Sequence, residues 1–246
     1  MSLWPIFIPS KGRAATGGLF PLLANESIRA TIVVEPQEVA EYRVMQPFHA
    51  VLSLPQAGQG IAYSRAFTLN HAKEQGHAWF WMMDDDVRSF HKVVNKRTPK
   101  CPAREALLGA QAFAADPKVG QVALEYAQLA WSAAKPTRRN SYCDVVVGVR
   151  TELAPKVMYR KTGKEDRDFS LQTLAAGWDT LRACHFAFAA PANGSNAGGL
   201  HAEYAAGLEP KWAAHLAELW PHCVTVQTKP NGRIDAKIDW AKARTP

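Results

Sequence analysis

Cysteine is scarce and scattered in this sequence. Four residues, Cys101, Cys143, Cys184 and Cys223, are spread over a 246-residue chain. None is spaced like a zinc-binding pair, so a disulfide scaffold and a metal knuckle are both excluded and reduced thiols are expected. No apolar run reaches the roughly 18 residues that a bilayer span needs. There is no internal repeat and no low-complexity tract. The opening Met1-Ser2-Leu3-Trp4-Pro5 has no basic segment leading into an apolar one, so no secretory signal is expected. Membrane insertion and repeat architectures fall away, leaving a globular protein with 47% hydrophobic and 21% charged residues.

Charge of one sign is in excess. The net charge is +7, gathered in patches around residues 88–104, 135–139, 156–164 and 229–244. Such a surface favours phosphate-bearing partners, nucleic acid among them.

Strand and helix signals alternate. Ile6-Phe7-Ile8, Ala30 to Val34, His49 to Leu54 and Trp79 to Met83 are apolar or β-branched runs closed by Pro or charged residues, and read as buried strands. Between them lie helical segments: one within residues 16–25, one opened by Pro36, and one over residues 61–75, where Ala62, Ala66, Leu69 and Ala72 share a face. Alternation of this kind predicts a mostly parallel sheet with helices on its faces. Further on, residues 104–115 read as helix, and 121–126, 143–149 and 180–189 as strands. Residues 135–140 and 161–164 read as basic loops. Residues 193–199, rich in Gly, Asn and Ala, read as a surface loop or a lid. The tail holds a helix over 209–219 and strands at 224–226 and 234–238.

The most informative feature is Asp84-Asp85-Asp86 at the end of the fourth strand. In an extended chain Asp84 and Asp86 point the same way, roughly 7 Å apart, and repel by about 2 kcal/mol at an effective dielectric near 20. A divalent cation offsets that repulsion, and oxygen-rich sites suit Mg²⁺ or Mn²⁺ together with substrate phosphates. A solvated acidic turn is the competing reading. Ser10-Lys11 and Glu35 close the first two strands, and in an open parallel sheet ligands bind at such ends. Arg65 is a surface arginine or a diphosphate contact. Glu165-Asp166 caps a helix or supplies a general base. His185 lies in an apolar stretch and reads first as a core histidine.

In their order, Ile8 to Arg13, Val33-Val34-Glu35, Gly60 to Arg65, Asp84 to Asp86 and Glu165-Asp166 resemble a GT-A glycosyltransferase. A finer resemblance, to the TET-associated glycosyltransferases of bacteriophages, is carried by residues 60–70, 83–87, 164–172 and 196–200. The resemblance implies an α/β GT-A fold: a Rossmann-like, mixed, mostly parallel sheet flanked by helices, with a small α+β C-terminal extension. Residues 1–246 would be one catalytic domain, with a core to about residue 190 and the extension from about 191. The implied reaction moves a sugar from a nucleotide-sugar, a UDP-sugar, to the hydroxymethyl group of a modified pyrimidine in DNA, 5-hydroxymethylcytosine.

In that picture Pro9, Ser10, Lys11, Arg13, Glu35, Arg65, Asp84 and Asp85 line the donor pocket. Asp84 and Asp86 hold Mn²⁺ or Mg²⁺, with His185 or His201 as a third ligand. Asp166, then Glu165, is the base, and Arg138, Arg139, Lys161 and Lys164 grip DNA. DNA and the nucleotide-sugar are the expected partners, with no membrane and no obligate protein partner. The expected location is cytoplasmic, in the host cytoplasm if phage-encoded. The alternatives are a glycan, lipid or protein acceptor, a sugar-nucleotide nucleotidyltransferase, and a DNA-binding module with a decayed site.

Overall fold

Buried apolar runs set the frame. The computed structural model describes residues 2–244 apart from Asn193, Gly194 and Asn196. The lid reading at 193–199 and the motif at 196–200 therefore fall partly outside the described residues.

The first strand, β1 (Ile6–Pro9), is buried along its whole length. It is followed by α1 (Leu19–Asn25), β2 (Thr31–Val34), α2 (Val39–Met45), β3 (Ala50–Ser53), α3 (Ile61–Glu74) and β4 (Trp79–Met83). Next come β5 (Ser89–Lys92), β6 (Lys100–Cys101), α4 (Ala103–Gln111), β7 (Val119–Tyr126), α5 (Ala127–Ala130), β8 (Thr137–Arg139) and β9 (Val146–Arg150). The chain continues through α6 (Glu165–Ala175), β10 (Asp179–Ala189), α7 (His201–Ala205) and α8 (Glu209–Leu219) to a hairpin of β11 (Val224–Thr228) and β12 (Ile234–Ile238).

Ten strands form one sheet in the order β3-β2-β1-β4-β9-β7-β10-β5-β6, with β8 paired to β10. The pairings make β9, β5 and β8 run against the other seven. The expected mixed, mostly parallel α/β sheet is therefore present. Parallel β1, β2 and β4 all end at one edge, which brings Ser10, Glu35 and Asp84 together. β7 ends at the same edge with Tyr126, and β9 begins there. One apolar cluster packs Leu19, Phe20, Tyr42 and Leu107 on one face of the sheet. Another packs Leu69, Ala72, Val157 and Phe169 on the other. In a third, Leu171 and Leu174 of α6 pack on Leu216, Cys223 and Val224 of the C-terminal segment. All four cysteines are unpaired.

Several expectations are corrected. The basic stretch after the aspartates folds into β5 and β6, and the 135–140 loop contains β8. These are short, polar strands with little apolar signature, recruited because β10 is long enough to pair β8 at 181–183 and β5 at 186–189, with β6 added outside β5. The strand expected from Cys143 starts only at Val146, because Val145 has φ +60, which breaks an extended run and is costly for a β-branched residue. His185 is exposed rather than in the core. It lies where β10 changes register against β7, between Ala183 and Ala187, so the apolar pattern around it does not bury it.

Candidate active site

A cleft of about 270 Å³ opens at this sheet edge. One wall is a closed network around Asp85, which is buried. Ser10 Oγ donates a short hydrogen bond to Asp85 Oδ2, and Arg13 Nη1 donates to Oδ1 at 2.6 Å. Tyr42 Oη lies 2.7 Å from Ser10 Oγ and accepts the Arg13 N–H at 3.0 Å. Burial pushes the Tyr42 hydroxyl up to about 12, so it stays a donor. Arg13 also reaches Asp86 at 3.4 Å and donates to the Ala197 carbonyl at 2.9 Å.

At the end of β2, Glu35 accepts from Lys11 Nζ at 3.1 Å, the Gly58 N–H at 3.0 Å and Gln37 Nε2 at 2.6 Å. Burial works to raise Glu35, but these hydrogen bonds outweigh it and hold the carboxyl below its usual range. The pocket-side loops are thus tied to one another before any ligand arrives.

Asp84 sits where β4 ends and its N–H donates to the carbonyl of strained Val145 at 2.9 Å. Its carboxylate accepts from Arg65 Nη2 at 2.7 Å, while Arg65 Nη1 lies 3.5 Å from Glu165 Oε1. One buried guanidinium from α3 therefore ties the end of β4 to the start of α6. Burial, against the pull of Arg65, pushes Asp84 up to about 7 and raises Glu165 as well. Ser64 Oγ and Arg65 Nε, also in the cleft wall, are buried without a hydrogen-bond partner. Asp166 lines the cleft beside Glu165, and its Oδ1 accepts the Arg167 N–H at 2.7 Å. Asp166 is only half-buried, whereas Glu165 is buried.

The cleft thus gathers every residue expected at the donor pocket, together with Asp86, Lys164, Glu165 and Asp166. It does not gather the rest. His185 is absent from its walls, whereas His201 lines it. Arg139 pairs with Asp116 and with Asp179, the latter at 2.6 Å. Arg138 lies 3.4 Å from Glu125, and Lys164 Nζ lies 2.7 Å from Asp235. Lys161 is exposed.

Sequence reasoning missed Tyr126, Asp144, Arg167, Glu203, Tyr204, Arg233 and Asp235, which also line the cleft. Asp144 accepts from buried Arg182 at 2.8 Å and from Tyr126 Oη at 3.1 Å. The strand positions of Tyr126 and Arg182 were readable, but not which face they occupy. Among the described residues no three His, Cys, Asp or Glu side chains are arranged to hold a metal by themselves.

Residues 4–199 of the chain match the TET-Associated Glycosyltransferase family. The chain belongs to that family. As a TET-associated glycosyltransferase it is an enzyme that transfers a sugar, and its sheet is a GT-A fold. Among solved structures it is similar to GalNAc-T7, crystallised with UDP, GalNAc and Mn²⁺, at 9% identity and a TM-score of 0.50. That match covers 77% of this chain and 44% of the other, so the chain spans less than half of that protein's length. It is also similar to A197 from STIV, at 12% identity over 95% of this chain and 93% of the other, with a TM-score of 0.46. A third similar structure is a nucleotide-diphospho-sugar transferase from Desulfovibrio desulfuricans G20. There the identity is 13% over 74% of this chain and 80% of the other, with a TM-score of 0.41. No curated protein sequence matches the chain. No described helix is long and apolar enough to cross a membrane.

Asp84 and Asp86 keep 32% and 25% of their side-chain exposure and each gives only one oxygen to an arginine pair, whereas Asp85 spends both oxygens on Ser10 and Arg13. Two accessible carboxylates that are not a full cage fit the way Mg²⁺ is held, by one or two carboxylates plus substrate phosphates.

Proposed function

We propose that this enzyme transfers a sugar from a UDP-sugar to the hydroxymethyl group of 5-hydroxymethylcytosine in DNA, with a divalent metal bound at Asp84 and Asp86. The observation that carries the reading is Arg65, which pairs with Asp84 of the donor side and Glu165 of the acceptor side at 2.7 and 3.5 Å. One cation then faces the carboxylates of both halves, at the point where a donor diphosphate and an acceptor hydroxyl must meet.

Lys11, Arg13 and Arg65 supply positive charge for the diphosphate, and a planar guanidinium is suited to two of its oxygens. Unpartnered Ser64 Oγ and Arg65 Nε gain acceptors when the diphosphate is present, removing the cost of leaving buried donors unpaired. Glu35 and Pro9 shape the nucleoside end. Bound metal would neutralise charge on the departing diphosphate. Asp166, the more accessible acidic side chain of α6, takes the proton from the acceptor hydroxyl. The hydroxyl oxygen bonds to the anomeric carbon as the bond from that carbon to the diphosphate oxygen breaks, and UDP leaves with the electron pair. A paired base lies inside the duplex, so it must be flipped out or offered on a single strand. The net charge of +7 supports a polyanionic acceptor.

The test is incubation with hydroxymethylcytosine DNA, Mn²⁺ and a panel of nucleotide-sugars, followed by nucleoside mass spectrometry. A hexose-sized mass increase on the modified cytosine is expected. Donor hydrolysis without any DNA mass shift would sink the DNA acceptor and leave a glycan, lipid or protein acceptor.

A further inference from the structure

The family match ends at residue 199, yet the cleft does not. Glu203, Tyr204, Arg233 and Asp235 line it from the C-terminal segment. Several contacts of this segment fall on one short stretch, the residues just before Glu165 and Asp166. Gly163 has φ +74, and a Cβ there would sit 2.2 Å from the ring of Trp212 on α8. That conformation suits glycine, and the indole needs the space. The next residue, Lys164, places Nζ 2.7 Å from Asp235 Oδ1 and 3.8 Å from Glu209 Oε1. Asp235 is fixed in turn by Lys229 Nζ at 2.7 Å from its other oxygen. Farther along, Trp220 Nε1 donates to buried Asp168 at 2.8 Å, and Leu171 and Leu174 pack on Leu216 and Val224.

We propose that the C-terminal segment is the positioning element of the catalytic helix, with Asp235, acting through Lys164, as the residue that sets where Glu165 and Asp166 stand in the cleft. The proposal rests on the acid–base role given to Asp166 above. It makes Lys164 an internal strut, and it makes acceptor turnover depend on a part of the chain outside the family match. Donor binding is built elsewhere, from the ends of β1, β2 and β4 and the start of α3, so it stays intact when the strut is cut.

The experiment compares Asp235→Asn, Asp235→Glu, Lys164→Met and the Asn/Met double variant with the parent protein. Lys242→Ala serves as a control, because its ion pair with Asp239 is exposed at the far end of the same segment. Two readouts are taken: hydrogen exchange over residues 161–168, and kcat and donor KM for transfer. Asp235→Asn is expected to quicken exchange in that stretch and lower kcat about 10- to 100-fold, the usual effect of losing a residue that orients another. Donor KM is expected to stay within about twofold.

Lys164→Met matches that loss, the double variant adds little to either, and Asp235→Glu recovers part of it. Unchanged exchange with unchanged kcat in Asp235→Asn would overturn the proposal. So would full activity in Lys164→Met, which removes the strut from its other end should Asp235→Asn fail to fold. If the parent protein transfers no sugar, the glycosyl-transfer reading of the site fails, and the exchange comparison alone still decides whether Asp235 holds the start of α6.

Discussion

Arg65 carries the greatest consequence of any single side chain. It is buried between two carboxylates that burial already pushes toward their protonated forms. Its removal leaves both without their cation, and breaking a buried pair in this way costs about 3–5 kcal/mol. Arg65→Met is therefore expected to lower the unfolding free energy by that much and, on the proposed donor site, to abolish nucleotide binding. Chemical unfolding and a UDP titration read the two effects. The three aspartates should separate in the same measurements. Asp85 is locked between Ser10 and Arg13, so Asp85→Asn is expected to cost about 1–3 kcal/mol of stability through the broken network. Asp86, a quarter exposed, contributes little to the fold, so Asp86→Asn is expected to leave stability within about 0.5 kcal/mol while, on the proposed metal site, weakening activation of turnover by Mn²⁺. Equal stability losses in the two variants would contradict this division.

The first strands that build the cleft were legible because each is an apolar run with a clear stop. β1, β2 and β4 have strong patterns and their ends carry Ser10, Glu35 and Asp84, so the convergence of these residues on one cleft could be read from the sequence. β5, β6 and β8 were not legible, since short polar strands are specified by the neighbours they pair with rather than by their own side chains. The C-terminal contribution was hidden for a related reason: which loop Trp212 and Asp235 reach is a tertiary fact, with no local signal beyond Gly163.

At the junction of α1, β2 and β3, His49 illustrates how an element contact becomes a pH dependence. Its Nδ1 accepts the Ala30 N–H at 3.3 Å, so Nε2 carries the proton donated to the Phe20 carbonyl at 2.9 Å. A second proton has no place, and burial lowers the pKa of this ring. The unfolded chain takes up that proton below about pH 6.5 and the folded one resists it. The stability from His49 is therefore complete above about pH 6.5 and lost as pH falls, by at most about 1.4 kcal/mol per pH unit for one proton. Thermal melts from pH 7.5 to 5 should show this decline, and His49→Gln should flatten it. A slope unchanged by the substitution would mean that another group is responsible.

For the molecule as a whole, charge has two uses that the net value of +7 does not separate. Arg139 is spent on Asp116 and Asp179, and Arg182 on Glu125 and Asp144. Lys164 is spent on Asp235. These cations hold β8, β10 and α6 in place. Others stand clear of the fold: Lys161 is exposed, as are Lys96 and Arg97 at the turn between β5 and β6. If DNA is the acceptor, affinity belongs to the second group. Each phosphate contact contributes about 0.9 to the slope of log K against log salt. A Lys96→Glu/Arg97→Glu variant is then expected to bind every duplex more weakly and to lower that slope by about 2, with an unchanged melting temperature. Arg139→Gln is expected to do the reverse, lowering the melting temperature while leaving the salt slope alone. Filter-binding titrations from 50 to 200 mM salt, set beside thermal melts of the same variants, would show which cations face the DNA and which face the protein.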